Sequence, residues 1–289
     1  MNPADTVWLM TCSALVLLMT PGLAFFYGGL VRGRNAVSMI MYSFMAMAVV
    51  SLVWVYWGYS VAFGPGNAWF GDLSAVGLRS IGIDDVSGTV PTLLNVAFQM
   101  MFAIITPALI SGAVAERFKF STYLVFLVLW VTFVYAPVAH WAWSPAGWLA
   151  RAGLLDFAGG TVVEINSGVA SLVAALVVGR RRYPGTEPHN VPFVVLGGGL
   201  LWFGWLGFNA GAGLQANGQA VNALLTTNTA GAAGAAHAAE QVRHVALPLG
   251  EHPVDAADAD HADILHPEAR QQRIGGVDWM FAEGERDVA

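Results

Sequence analysis

Charge is what this chain has least of. Only 11% of its 289 residues are charged, Lys119 is the single lysine and Cys12 the single cysteine. One cysteine excludes a disulfide within the chain and a thiolate metal site, and it leaves the redox compartment unreadable. Also missing are a glycine-rich phosphate loop, an HExxH pair and any Ser/His/Asp arrangement, so neither an enzyme nor a cofactor or metal requirement is expected. No nucleic acid is expected as a partner.

What the chain has in abundance is apolar surface. Apolar residues make up 56% of it, eleven are Trp, and the mean hydropathy is +0.58. That composition describes an integral membrane protein. Six stretches are long enough to cross a hydrocarbon core of roughly 30 Å as helices, which satisfy their backbone hydrogen bonds without water. They run over about 6–30, 38–63, 91–115, 121–143, 158–179 and 191–213. A seventh, 221–239, is mostly Ala, Gly, Thr and Asn and needs protein neighbours rather than lipid. No basic residue precedes the first segment, which runs unbroken past signal-peptide length, so a cleaved signal is the weaker reading.

Loop charges set an expected topology. Arg32 and Arg34, Arg117 and Lys119, and Arg180, Arg181 and Arg182 fall in alternate connections, against Arg79 and Arg151 in the others. The positive-inside rule then makes the richer set cytoplasmic and puts the N-terminus outside a cell membrane. After residue 239 the composition changes. Residues 240–289 hold eleven acids and four Arg, whereas 1–239 hold nine basic and eight acidic residues. The expected organisation is therefore a membrane domain, 1–239, and an acidic, disordered tail, 240–289. The tail histidines His244, His252, His261 and His266 match no metal template.

Within the apolar segments, Glu164 stands out. It lies in a long apolar stretch with no neighbouring cation, and an ionisable group at that depth is a functional-site hypothesis by default. The plainer alternative is a neutral Glu hydrogen-bonded to a helix neighbour. Asp156 immediately precedes the fifth segment, where it is expected to cap the helix by accepting from the N–H groups of Ala158 and Gly159 and to face the positive end of the dipole. Helix-packing signals are also present: Pro21, Gly22, Gly28 and Gly29 in the first segment, the stripe Ser167, Ser171, Ala175 and Gly179 in the fifth, and Gly207 with Gly211 in the sixth.

Several motifs occur in one order: the run from Pro21 to Leu30, Ala97-Phe98-Gln99 followed by Phe102, the run from Gly112 to Arg117, that from Asp156 to Val163, Pro188-His189-Asn190-Val191-Pro192, and the run from Gly204 to Gly211. As a set, over about residues 5 to 236, they closely resemble the ammonium transporter family (Amt/Mep, related to Rh). The resemblance implies an all-α polytopic helix bundle of two inverted five-helix repeats. The first repeat is complete here, while after Gly179 there is one sound helix and one weak one. It also implies a homotrimer, with membrane lipid around it and ammonium or ammonia as the permeant, passing one narrow hydrophobic pore per subunit.

The resemblance assigns Phe98, Phe102 and Trp143 to external recruitment of the cation, Phe102 and Phe208 to a stacked pair closing the pore, Trp205 to its lining, and Asp156 to the acidic position near recruitment. By spacing alone Trp143 reads as an interfacial belt residue. Two departures bear on mechanism. Glu164 stands where most members carry the first of two pore histidines, although some carry an acid. A dry pore penalises the ionised carboxyl, so Glu164 is expected to accept a proton from ammonium or to hold the cation itself. Ala212 stands where many members have a recruitment-site Ser, which implies weaker capture. No residue is assignable as the second pore histidine, with His140, His189 and His237 expected at loop or terminal positions. The resemblance stops before the cytoplasmic tail that binds PII-type regulators in the family, so no such partner is assigned. Two further readings stand beside a transporter: an ammonium sensor, and a truncated, non-conducting form of a transporter.

Overall fold

The computed structural model describes residues 1–181 and 187–246, with side chains as far as His237. Arg182 and the tail expectations from residue 247 onward, including His252, His261 and His266, lie outside the described residues.

Helix α1 is Pro3–Leu30. It begins ahead of its apolar run because Asn2 Oδ1 accepts from the backbone N–H of Ala4 and Asp5, with Pro3 in the first helical position. Helix α2, Gly33–Phe63, also starts earlier than its apolar pattern. Its polar first turn is held by Glu116, which accepts from Asn35 Nδ2 at 2.7 Å. The connection that follows carries a two-residue antiparallel pair, β1 (Val86–Ser87) and β2 (Val90–Pro91), with Val86 opposite Pro91. Helix α3 is Thr92–Val114, and α4 spans 120–143. Helix α5 is Gly160–Val178 and α6 is Val191–Gly211. Asn190 caps α6 through Oδ1, which accepts from Phe193 N at 3.0 Å.

Helices α1 to α6 are the six among the described residues that are long and apolar enough to cross a membrane. The protein is an all-α, multi-pass membrane protein. The weakly apolar seventh segment is helical as well, α7 (Gly218–Ala246), but does not belong to that set. Two compact units are present: Met1–Ala233, which holds α1 to α6 and the first turns of α7, and Gly234–Ala289.

Three of the helices contain a π turn: Trp54–Gly58 in α2, Val131–Tyr135 in α4 and Gly160–Ile165 at the start of α5. Single-turn π segments re-aim the side chains that follow them. Helices α1 and α6 lie so close that a Cβ on Gly197 would stand 2.3 Å from Phe26 N, and one on Gly204 would stand 2.2 Å from Met19 Cγ. Gly207 and Gly211 face Leu15 and Cys12 of α1 in the same seam. Small residues therefore permit the contact that van der Waals packing needs between helices in lipid. Asp5 is buried and its Oδ1 accepts from Ala216 N at 2.9 Å, which ties the start of α1 to the connection after α6.

Candidate functional site

The site is built around the entry to α5. Gly159 sits at φ +102°, a conformation that costs glycine little, and it turns the chain so that successive N–H groups converge on one carboxylate. Asp156 Oδ1 accepts from Gly159 N at 2.6 Å, and Oδ2 accepts from Thr161 N at 2.9 Å and Val162 N at 3.1 Å. Ala158 is not among the donors, which corrects the expected pair: the left-handed turn and the π start keep Gly159 and extend the donor set to Thr161 and Val162. Asp156 also fixes an aromatic wall, since its backbone carbonyl accepts from Trp143 Nε1 at 3.0 Å.

Beside this turn lies a cavity of about 380 Å³ whose walls include Phe98, Gln99, Phe102, Trp143, Asp156 and Ala212. Trp143 meets Phe102 edge to face, with centroids 6.0 Å apart and planes at 88°, and it stacks parallel to Phe63 at 6.5 Å. Phe98 meets Phe102 at 4.9 Å and 69°. Such ring faces attract a small cation, by about 0.5 to 2 kcal/mol each. Gln99 is a polar lining residue that motif reasoning left without a role: its Oε1 is buried with no hydrogen-bond partner among the described residues.

Phe208 joins the ring of Phe102 to that of Trp205. It is 1% exposed, lies 4.3 Å from Phe102 and 5.8 Å from Trp205, and so touches a ring on each side. Trp205 belongs to a second cavity, also about 380 Å³, which shares Phe157 and Ala158 with the first and adds Glu164, Asn209, Thr226 and Thr227. No basic side chain of the described residues lies within ion-pair distance of Glu164. Glu164 shares this lining with an indole, an amide and two hydroxyls.

The histidines sit elsewhere. His140 occupies a terminal position, fully buried in the last turn of α4, with Nδ1 3.0 Å from the Ala62 carbonyl and Nε2 2.8 Å from that of Asn67. Its location follows from α4 staying helical as far as Trp143, so that the ring pins the connection after α2. His189 Nδ1 lies 2.8 Å from Val31 O, and none of His140, His189 and His237 lines either cavity.

Sequence reasoning also missed a polar anchor far from both cavities. Glu116, at φ +64° and with its side chain 2% exposed, accepts from Arg32 Nε at 2.9 Å and from Asn35 Nδ2 at 2.7 Å. Hydrogen bonding from the Arg32 guanidinium outweighs the opposing effect of burial and holds this carboxyl at about 2. An acid and a base 84 positions apart give no local signal.

Comparison with known proteins bears on the same residues. The profile of the Ammonium Transporter Family matches residues 7–245. An "Ammonium transporter" of Bacillus subtilis is 53% identical over 240 residues, covering 82% of this chain and 59% of that protein. "Ammonium transporter Amt1" of Archaeoglobus fulgidus is 46% identical over 237 residues, covering 80% and 58%. Among solved structures, Candida albicans Mep2 superposes with a TM-score of 0.73 at 39% identity, covering 79% of this chain and 52% of that one. A protein described as "Sensor Amt Protein" gives 0.72 at 30%, covering 78% and 58%. The chain thus spans between half and three-fifths of the length of these relatives.

Proposed function

This chain belongs to the ammonium transporter family, and from that premise we propose that it carries ammonium nitrogen across a cell membrane by way of the two cavities. What supports the reading is their adjacency: an aromatic chamber, read as the outer one, and a chamber with one carboxyl group, read as the inner one, share Phe157 and Ala158, with the buried Phe208 against both Phe102 and Trp205. Phe98, Phe102 and Trp143 hold the arriving cation by its attraction to ring faces. Ala212 adds no hydroxyl there, so capture rests on the rings. Phe102 and Phe208 exclude water, so that the ion entering below is stripped of hydration.

Glu164 is the proton or cation site. As a carboxylate it accepts a proton from ammonium: an N–H bond breaks, an O–H bond forms and neutral ammonia is left in a chamber lined by Trp205. Releasing that proton returns the carboxylate for the next ion. Asp156 takes no part in this exchange. Its two oxygens are committed to three backbone donors, and it supports the site by capping α5 and by the charge it places near the outer chamber.

The basic connections after α1, α3 and α5 support a topology with those loops in the cytoplasm and the N-terminus outside. Residues 1–239 are assigned to the membrane domain and 240–289 to a separate acidic tail. Assembly as a homotrimer follows from family membership. A sensor is the second reading, favoured by the likeness to a structure described as a sensor. A non-conducting form is the third, favoured by the exposed apolar faces of α5 and α6.

The test is methylammonium uptake in cells lacking their own ammonium transporters, comparing the chain with Glu164→Ala at equal membrane abundance. Uptake by the unaltered chain that falls at least about tenfold in the variant, as loss of a positioned proton acceptor does, supports the transporter. Uptake absent from both favours the sensor or the non-conducting form, and equal uptake in both removes Glu164 from the mechanism.

A further inference from the structure

Asn209 is an amide in the last turn of an otherwise apolar helix, one turn from Trp205 and on the same face of α6. It lines the inner cavity together with Glu164. Its Nδ2 donates to Thr227 Oγ1 at 2.8 Å. That bond decides which way the amide points, because an amide whose nitrogen is committed to a hydroxyl must present its carbonyl oxygen on the other side. Among the described residues no donor reaches Asn209 Oδ1. The cavity therefore carries two acceptors of different kinds, one neutral and locked, one ionisable, and an indole lines it with them.

Ammonium has four N–H donors and no acceptor, so in a water-poor chamber each N–H without a partner is costly. A carboxylate alone satisfies one or two. We propose that Asn209 Oδ1 is a second ligand of the ammonium ion in the inner cavity, and that Thr227 is the positioning residue that keeps this oxygen turned toward it. The proposal rests on the reading of Glu164 as the ion's partner. It also accounts for the amide: a neutral acceptor adds a hydrogen bond without a second negative charge, which would hold the ion as a cation and oppose passage of its proton to Glu164. Ammonium and methylammonium, both N–H donors, fit this site, while tetramethylammonium, which has no N–H, does not.

The test uses the full chain reconstituted in lipid nanodiscs and needs no net transport. Ammonium chloride is titrated in while infrared difference spectra follow the carboxyl band that Glu164→Gln removes. Asn209→Leu is expected to raise the ammonium concentration at half-change about tenfold, the loss of one charge-assisted hydrogen bond. Thr227→Val should raise it less, and Thr227→Ser should restore the unaltered value, which a bulk packing defect would not do. Asn209→Asp should lower the half-change concentration while shrinking the carboxyl signal, because the ion is then held charged. Tetramethylammonium should leave the band unchanged. An Asn209→Leu titration indistinguishable from the unaltered chain overturns the role of Asn209 and leaves Glu164 standing. If the unaltered chain shows no ammonium-dependent band that Glu164→Gln removes, both readings fall together.

Discussion

Helices α1 to α4 and helices α5 and α6 live in different surroundings within one chain. In the most apolar windows of the first four, 44%, 39%, 56% and 39% of residues are buried in the protein, against 22% in each of the last two. Apolarity does not account for this, because all six have similar hydropathy, from 1.7 to 2.1. The difference lies in company. Helix α1 has α2, α3 and α6 against it, whereas α5 turns Val169, Leu172, Val173, Leu176 and Val177 outward, and α6 does the same with Val195, Leu196 and Phe203. The inner cavity lies on the open side and the outer aromatic chamber on the packed side. A site can therefore be well formed on one wall and open on the other within the same compact unit.

The sharpest test of that contrast pairs two leucines. Leu23 is 1% exposed in the α1 core and Leu176 is 73% exposed on α5. Leu23→Ala should cost about 3 kcal/mol from lost transfer energy and the cavity left behind, while Leu176→Ala should stay within about 0.5 kcal/mol. Thermal or denaturant unfolding in one detergent reads both. Comparable losses would mean that the open face is covered in the assembled protein and that the contrast belongs to the isolated chain.

Asp156→Ala comes next, because it removes the acceptor of three backbone N–H groups where the packed and open regions meet. A loss of about 2 kcal/mol is expected, at the upper end for a helix cap, with Asp156→Asn retaining part of it. Trp143 should loosen too, since the carbonyl that anchors its indole belongs to the same turn. Its fluorescence, read in the variant, distinguishes a local change from general unfolding.

The smallest effect is a pH dependence within the packed region. Glu116 titrates at about 2 in the folded chain, below its ordinary value of 4.5. Because the folded value is depressed, the stabilisation is fully present above about pH 4.5 and is lost as pH falls toward 2. Glu116→Gln should flatten this part of the stability profile and leave the rest unchanged. A profile that keeps its acid slope in the variant would move the effect to another carboxylate.

Particular residues show how far the sequence could be read. All six spans were legible because lipid leaves a backbone few options, and an unbroken apolar run of the right length forces a helix. Helix starts were less legible. Asn2, and the Glu116 contact with Asn35, lengthen α1 and α2 beyond their apolar patterns through polar contacts that hydropathy does not register. Asp156 announced itself as a cap by position, but its donors depended on the backbone turn at Gly159. Asn209 had a visible signal, an amide in an apolar helix, and no visible role until its partner on α7 was placed.

Composition and run length alone determined that this chain is a membrane protein and located the six membrane-length helices among the described residues, and its ordered motifs determined its family. Both rest on local chemistry: each apolar run must satisfy its own backbone, and each motif is contiguous. The tertiary structure alone decided which rings face one another, that His140 is buried against two carbonyls, that Glu116 meets Arg32, and that Glu164, Asn209 and Thr227 line one chamber. Those are contacts between distant segments, set by how closely glycine-faced helices approach and by where π turns aim the side chains.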